Sequence, residues 1–115
     1  MKITVKNKKL QAAVEDEELC TRRYGAEMAK KIRVRVASLA AAISLGDFWP
    51  PLSRPERCHE LKGDLEGIFS FDLKQPYRLL FKPSDSTEAV TEADERKRWQ
   101  RIEAIEILDI QNTHG

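Results

Sequence analysis

Ile3 and Val5 alternate with polar neighbours, a period of two that predicts a short first strand. Asn7 then stands where the N-cap of a helix starting at Lys8 belongs, and Leu10, Ala13, Val14 and Leu19 give that helix an apolar stripe. The run Glu15-Asp16-Glu17-Glu18 interrupts the stripe and reads as a solvated face. Tyr24-Gly25 breaks the helix, and a second begins near Ala26, with Met28, Ile32, Val36, Leu39 and Ile43 recurring every three or four positions. Its other face carries Lys30, Lys31, Arg33 and Arg35, a cluster suited to phosphate or an acidic partner but read first as cations exposed to water.

Gly46, Pro50-Pro51 and Pro55 end this helical region and impose an extended linker, because proline lacks an N–H donor and restricts the residue before it. Phe48 and Trp49 are expected to pin the linker to the core. Beyond it the period falls to two. A strand over roughly Cys58 to Lys62 leads into a turn at Gly63-Asp64. Phe69, Phe71 and Leu73 then alternate with Ser70 and Asp72, and after a turn at Lys74-Gln75-Pro76 a further strand runs from Tyr77 to Phe81. Tyr77, Leu79 and Phe81 share one face of it, so Arg78 points to the other, the solvent side of a sheet packed on helices. Ser84 to Arg98 is charged and without period, an expected exposed loop, and Ile102 to Ile110 is apolar enough on both faces to be a central strand.

The chain of 115 residues is expected to form one domain spanning residues 1–115, of α+β class, with a small, mostly antiparallel sheet packed on two N-terminal helices. No segment approaches the ~18 apolar residues of a membrane span and no secretory leader is visible, so a cytoplasmic location is expected, with no membrane partner. Cys20 and Cys58 are accordingly read as reduced thiols. A net charge of +1 conceals an asymmetry: Met1 to Lys82 holds 16 Lys and Arg against 11 Asp and Glu, while the remainder holds 4 against 8. That is a weak electrostatic footprint for nucleic acid.

The chemistry concentrates in Arg57-Cys58-His59-Glu60-Leu61-Lys62-Gly63-Asp64 and in Tyr77-Arg78-Leu79-Leu80-Phe81. With the order strand, helices, proline linker, short strands and C-terminal strand, these segments resemble the RelE/ParE superfamily, and within it the HigB-type plasmid maintenance system killer toxins. The resemblance implies cleavage of mRNA on the translating ribosome and neutralisation by a helix-turn-helix antitoxin, through which alone operator DNA is reached. The family's His-x-x-Lys pair corresponds to His59 and Lys62, and its hairpin arginine to Arg78. Many relatives end the last strand with Asp-Tyr-His, whereas this chain reads Asp109-Ile110-Gln111-Asn112-Thr113-His114.

RNA cleavage through the substrate's 2′-hydroxyl needs two proton-transfer groups and a fixed cation, with no cofactor or metal. A histidine of ordinary pKa ~6.5 suits the first task. The expected catalytic set is His59 and His114 for proton transfer, Asp109 to orient an imidazole or accept a hydrogen bond from RNA, and Arg78 to hold the scissile phosphate. Arg57, Lys62 and Lys82 are expected to bind RNA. His59 and Lys62 have opposite strand parity and share a face only if the chain turns or bulges before Gly63. Structural alternatives stand beside these roles: Arg78 as the ion-pair partner of Glu60 or Asp72 across the hairpin, and Asp109 as a strand-end polar residue. A different class of function is a non-catalytic binder of the same fold, either a topoisomerase inhibitor or a degenerate toxin acting through its antitoxin. No zinc-site spacing, phosphate loop or nucleophile elbow is present.

Overall fold

Asn7 separates the first strand from the first helix: its side chain accepts a hydrogen bond from the Leu10 amide at 2.8 Å, satisfying one of the free N–H groups of the first turn. The computed structural model describes residues 1–84 and 93–112. Strand β1 spans Lys2–Val5, and the helices that follow are α1 (Lys8–Glu15), α2 (Glu17–Tyr24) and α3 (Ala26–Ala41). The first helix expected from the sequence is therefore two. Asp16 divides them, its N–H closing α1 on the Ala12 carbonyl and its carboxylate accepting from the Leu19 amide at 3.0 Å as the cap of α2. Glu17 and Glu18 then lie in the first turn of α2, and Arg22 and Arg23 in its last, both favourable to the helix dipole. The acidic run is a helix boundary because a short carboxylate competes better as a cap than as a helix-interior residue.

Helix α3 buries Met28, Ala29, Ile32, Arg35 and Leu39. Ile43 lies beyond its end and is exposed. Arg35 is the larger departure: instead of facing water it is 7% exposed, and its Nε donates to the Asp72 carbonyl at 2.9 Å while Nη2 donates to the Pro55 carbonyl at 3.4 Å. Its guanidinium is tolerated there because backbone acceptors meet it. After a 3₁₀ turn over Leu45–Phe48 the linker is held as expected, with Phe48 edge-on to Phe71 and Trp49 edge-on to Trp99.

The remaining strands are β2 (His59–Glu60), β3 (Phe69–Asp72), β4 (Tyr77–Pro83) and β5 (Ala104–Asn112), with a 3₁₀ turn over Gly63–Leu65 between β2 and β3. Sheet order is β1-β5-β4-β3-β2. β1 runs parallel to β5 and the other neighbours are antiparallel, so β5 is an interior strand paired on both edges, next to the middle strand β4. β2 is shorter than the expected Cys58 to Lys62, and β4 is longer.

Of the segment expected as a loop from Ser84 to Arg98, residues 85–92 lie outside the described residues. Its C-terminal part is not loop but the start of α4 (Glu95–Arg101), capped by Asp94, which accepts from the Lys97 amide at 2.9 Å. Trp99 on this helix is fully buried. It lies on a continuous aromatic path through the core: Phe48 on Phe71, Phe71 on Phe81, Phe81 stacked with Phe69, Phe69 edge-on to Trp99, and Trp99 edge-on to Trp49. Ile32, Leu39, Ile102, Ile105 and Ile107 complete this core. No helix among the described residues is long and apolar enough to cross a membrane.

Candidate functional site

Partners directly opposite in an antiparallel ladder project to the same face. His59 is opposite Ser70, Ser70 opposite Leu80, and Leu80 opposite Asp109, which makes one row across β2 to β5. Asp72, Arg78 and Gln111 form the next row, two residues along. Phe69, Phe71, Leu79 and Phe81 occupy the alternate positions and face the helices, so both rows lie on the outer face. A bulge at Leu108 keeps this parity through β5: Leu80 pairs with Asp109 but Phe81 with Ile107. From strand spacing and rise, the Cα atoms of His59 and Arg78 are roughly 12 Å apart.

This face is less solvated than its alternation suggests. Ser70 and Leu80, in the middle of the sheet, are buried, and the Ser70 hydroxyl meets no hydrogen-bond partner among the described residues. Asp72 is 8% exposed. Its carboxylate lies 3.5 Å from Arg57 Nη1 and 3.9 Å from Arg78 Nε, and accepts from Gln75 Nε2 at 3.2 Å. Of the structural alternatives for Arg78, the pairing with Asp72 is the one observed; Glu60 pairs with Arg98 instead. Two guanidiniums around one carboxylate leave a positive surplus, the local condition for holding a phosphate.

Arg57 reaches this cluster because it adopts a left-handed backbone, φ 52°, at the entry to β2, a conformation that costs an ordinary residue ~1–2 kcal/mol. The same bend sets His59, whose Nδ1 is 3.0 Å from the Arg57 carbonyl oxygen. A carbonyl only accepts, so Nδ1 carries the proton and Nε2 is the basic nitrogen of the neutral ring. Cys58, between them, has the opposite parity and is fully buried. Burial pushes its thiol far above the ordinary 9.0, and the nearby Glu56 carboxylate adds to the effect, so Cys58 is no thiolate nucleophile beside His59.

Asp109 is exposed and turned onto its own strand, accepting from the Ile110 amide at 2.8 Å and from Gln111 Nε2 at 2.9 Å. Lys82 shares the outer face and lies 3.8 Å from Glu106. Lys62 stands apart from the two rows. The chain leaves β2 after Glu60, and Lys62 lines a cleft of about 400 Å³ with Glu60, Glu66 and Arg98, whose walls include neither His59 nor Arg78. His114 lies outside the described residues. No cluster of three or more His, Cys, Asp or Glu side chains suited to a metal occurs among the described residues.

The sequence reading gave no functional part to Asp72 or Gln75, and it placed Arg35 in an exposed cationic face rather than in the core. For Arg35 a signal was present: it falls at helical spacing from Ile32 and Leu39, inside the apolar stripe. For Asp72 the alternation of β3 gave the face but not the burial, which comes from partners in distant segments.

No protein-family model matches the chain, and no curated protein matches it in sequence. Solved structures do match it in fold. A YoeB/ParE toxin from Agrobacterium tumefaciens superposes with a TM-score of 0.55 over 97% of this chain and 98% of its own, at 18% identity. The YoeB dimer from Staphylococcus aureus superposes with a TM-score of 0.51 over 96% of this chain and 94% of its own, at 20% identity. The fold is thus α+β with a five-stranded mixed sheet, and it is the fold found in YoeB/ParE-type toxins.

Proposed function

We propose that this chain is the toxin of a toxin–antitoxin pair, a HigB-type endoribonuclease that cuts mRNA on the translating ribosome in the cytoplasm. A helix-turn-helix antitoxin neutralises it and supplies any contact with operator DNA. The observation that carries this reading is the common outer face of His59, Arg57, Arg78 and Asp109, set by the pairing register of β2 to β5 and by the Arg57 ion pair.

On this reading the RNA 2′-hydroxyl attacks the adjacent phosphorus while a base takes its proton, and an acid protonates the departing 5′-oxygen. Nε2 of His59 is the available base. His114 serves as the second proton-transfer group and Asp109 orients an imidazole. Arg78 and Arg57 stabilise the extra negative charge on the phosphorane-like state, which cationic donors favour more strongly than the ground-state phosphate. Lys82 and Lys62 bind the flanking backbone. No metal ion is required by this scheme.

Expression without antitoxin is expected to arrest growth and yield cut transcripts, and Arg78→Ala and His59→Ala, both folded, are each expected to restore growth. Arrest unchanged by both substitutions refutes the assigned residues. A second reading is favoured by the Asp72 carboxylate, which partly neutralises Arg57 and Arg78: a non-catalytic binder of the same fold. Arrest with intact transcripts supports a topoisomerase inhibitor, and no arrest supports a degenerate toxin that acts through its antitoxin.

A further inference from the structure

We propose that Asp72 is a positioning residue for phosphate binding: its carboxylate holds Arg57 and Arg78 to either side so that both guanidiniums bind one phosphodiester on the outer face. The nature of the ligand rests on the nuclease reading above; the clamp itself rests on geometry.

An acid as buried as Asp72 is costly to keep ionised unless partners meet it, and here they come from three segments: Arg57 from the entry to β2, Arg78 from β4 and Gln75 from the hairpin turn. Its backbone is fixed from the other side. The Asp72 amide donates to the Glu56 carbonyl at 2.7 Å, and its own carbonyl accepts from the buried Arg35 at 2.9 Å. Helix α3 and the proline linker therefore set where the carboxylate stands, and the carboxylate sets the two guanidiniums.

The pairing is loose enough to leave those guanidiniums usable. At 3.5 and 3.9 Å the contacts are electrostatic rather than short hydrogen bonds, and Arg78 Nε has no hydrogen-bond partner among the described residues. Each arginine has five N–H donors and turns only one edge toward Asp72. Without the acid, two like charges repel and two long side chains recover their rotamer freedom, so the pair no longer meets a phosphate together.

A simple charge effect predicts the reverse. Removing a negative group beside the phosphate raises the local potential and tightens RNA binding. The sign of the Asp72→Asn effect therefore separates positioning from competition.

The test uses a short RNA oligonucleotide carrying 2′-O-methyl groups throughout, which binds without a nucleophile for cleavage. Affinity is measured by fluorescence anisotropy, and the Arg57 and Arg78 Nε–H resonances are followed by NMR on the same samples. Asp72→Asn is expected to weaken binding about tenfold and move both resonances toward those of solvent-exposed arginines, with Asp72→Glu recovering part of the loss. Arg57→Ala is expected to lose as much affinity as Arg78→Ala, a comparison that stands even where Asp72→Asn does not fold. Folded Asp72→Asn binding as tightly as wild type or tighter overturns the proposal, as does Arg57→Ala binding like wild type. Wild type that fails to bind the oligonucleotide also overturns it, while the presence or absence of cut transcripts in arrested cells judges the nuclease reading separately.

Discussion

Phe69 and Phe71 on β3 point into the helices while Ser70 and Asp72, one residue along, point outward, and the two sets are held in different ways. The inner face is aromatic and aliphatic, close-packed and indifferent to direction, so its stability is spread over many contacts. The outer face relies on a few polar contacts to Asp72, two ion pairs and one hydrogen bond, each dependent on a partner outside β3. Loss of one inner residue is a loss of stability; loss of one outer residue is expected to change binding with far less effect on folding.

The strongest challenge to that contrast is Trp99→Ala, which interrupts the aromatic path between Phe69 and Trp49 and is expected to cost ~3–5 kcal/mol, read from urea unfolding. An effect below 1 kcal/mol there denies that α4 closes the core. Arg35→Ala comes next, because Arg35 belongs to the inner side by burial and to the outer side by its bond to the Asp72 backbone. It is expected to cost ~2–3 kcal/mol, as charged donors to two backbone carbonyls are lost, and also to weaken oligonucleotide binding.

A smaller effect is expected with alkali. Burial raises the Cys58 thiol pKa in the folded protein, so its contribution to stability is complete below the ordinary value of 9.0 and declines as pH rises above it, when only the unfolded chain loses the proton. Cys20 is shifted in the same direction, chiefly by burial, with Arg33 opposing. Denaturant titrations are expected to show a loss of ~1.4 kcal/mol per pH unit for Cys58 above pH ~9, reduced in a folded Cys58→Ala variant to the part that Cys20 and Tyr24 leave. The smallest effect is expected for Lys82→Ala, whose half-exposed ion pair with Glu106 contributes less than ~0.5 kcal/mol, a change within the error of thermal melts.

The inner face was largely legible in the sequence because burial imposes periodicity. Alternation in β3 and β4, the stripe from Met28 to Leu39 and the two-sided apolar pattern of β5 each announced their elements. Asp16 was missed because a cap and a solvated acid look alike until the helix direction on both sides is known. Arg35 was missed because its charge outweighed its spacing. The outer face was legible in parity alone: alternation gave the direction of Arg78, but pairing with Asp72 rather than Glu60 depends on the register of β3 against β4, which the intervening turn sets and composition does not.

The parallel pairing of Lys2 with Ala104 carries a kinetic consequence. A ribosome that has made β1 must extend the chain by about a hundred residues before the neighbour of that strand exists. β4 waits about twenty residues for the same strand on one edge. Closure of β1 over its longer contour is slow relative to hairpin formation, and it leaves an unpaired ribbon exposed while synthesis proceeds. A nascent chain halted before Ala104 therefore lacks the strand bearing Asp109 and leaves β1 and β4 unjoined, so the complete outer surface first forms only when translation of that strand is finished.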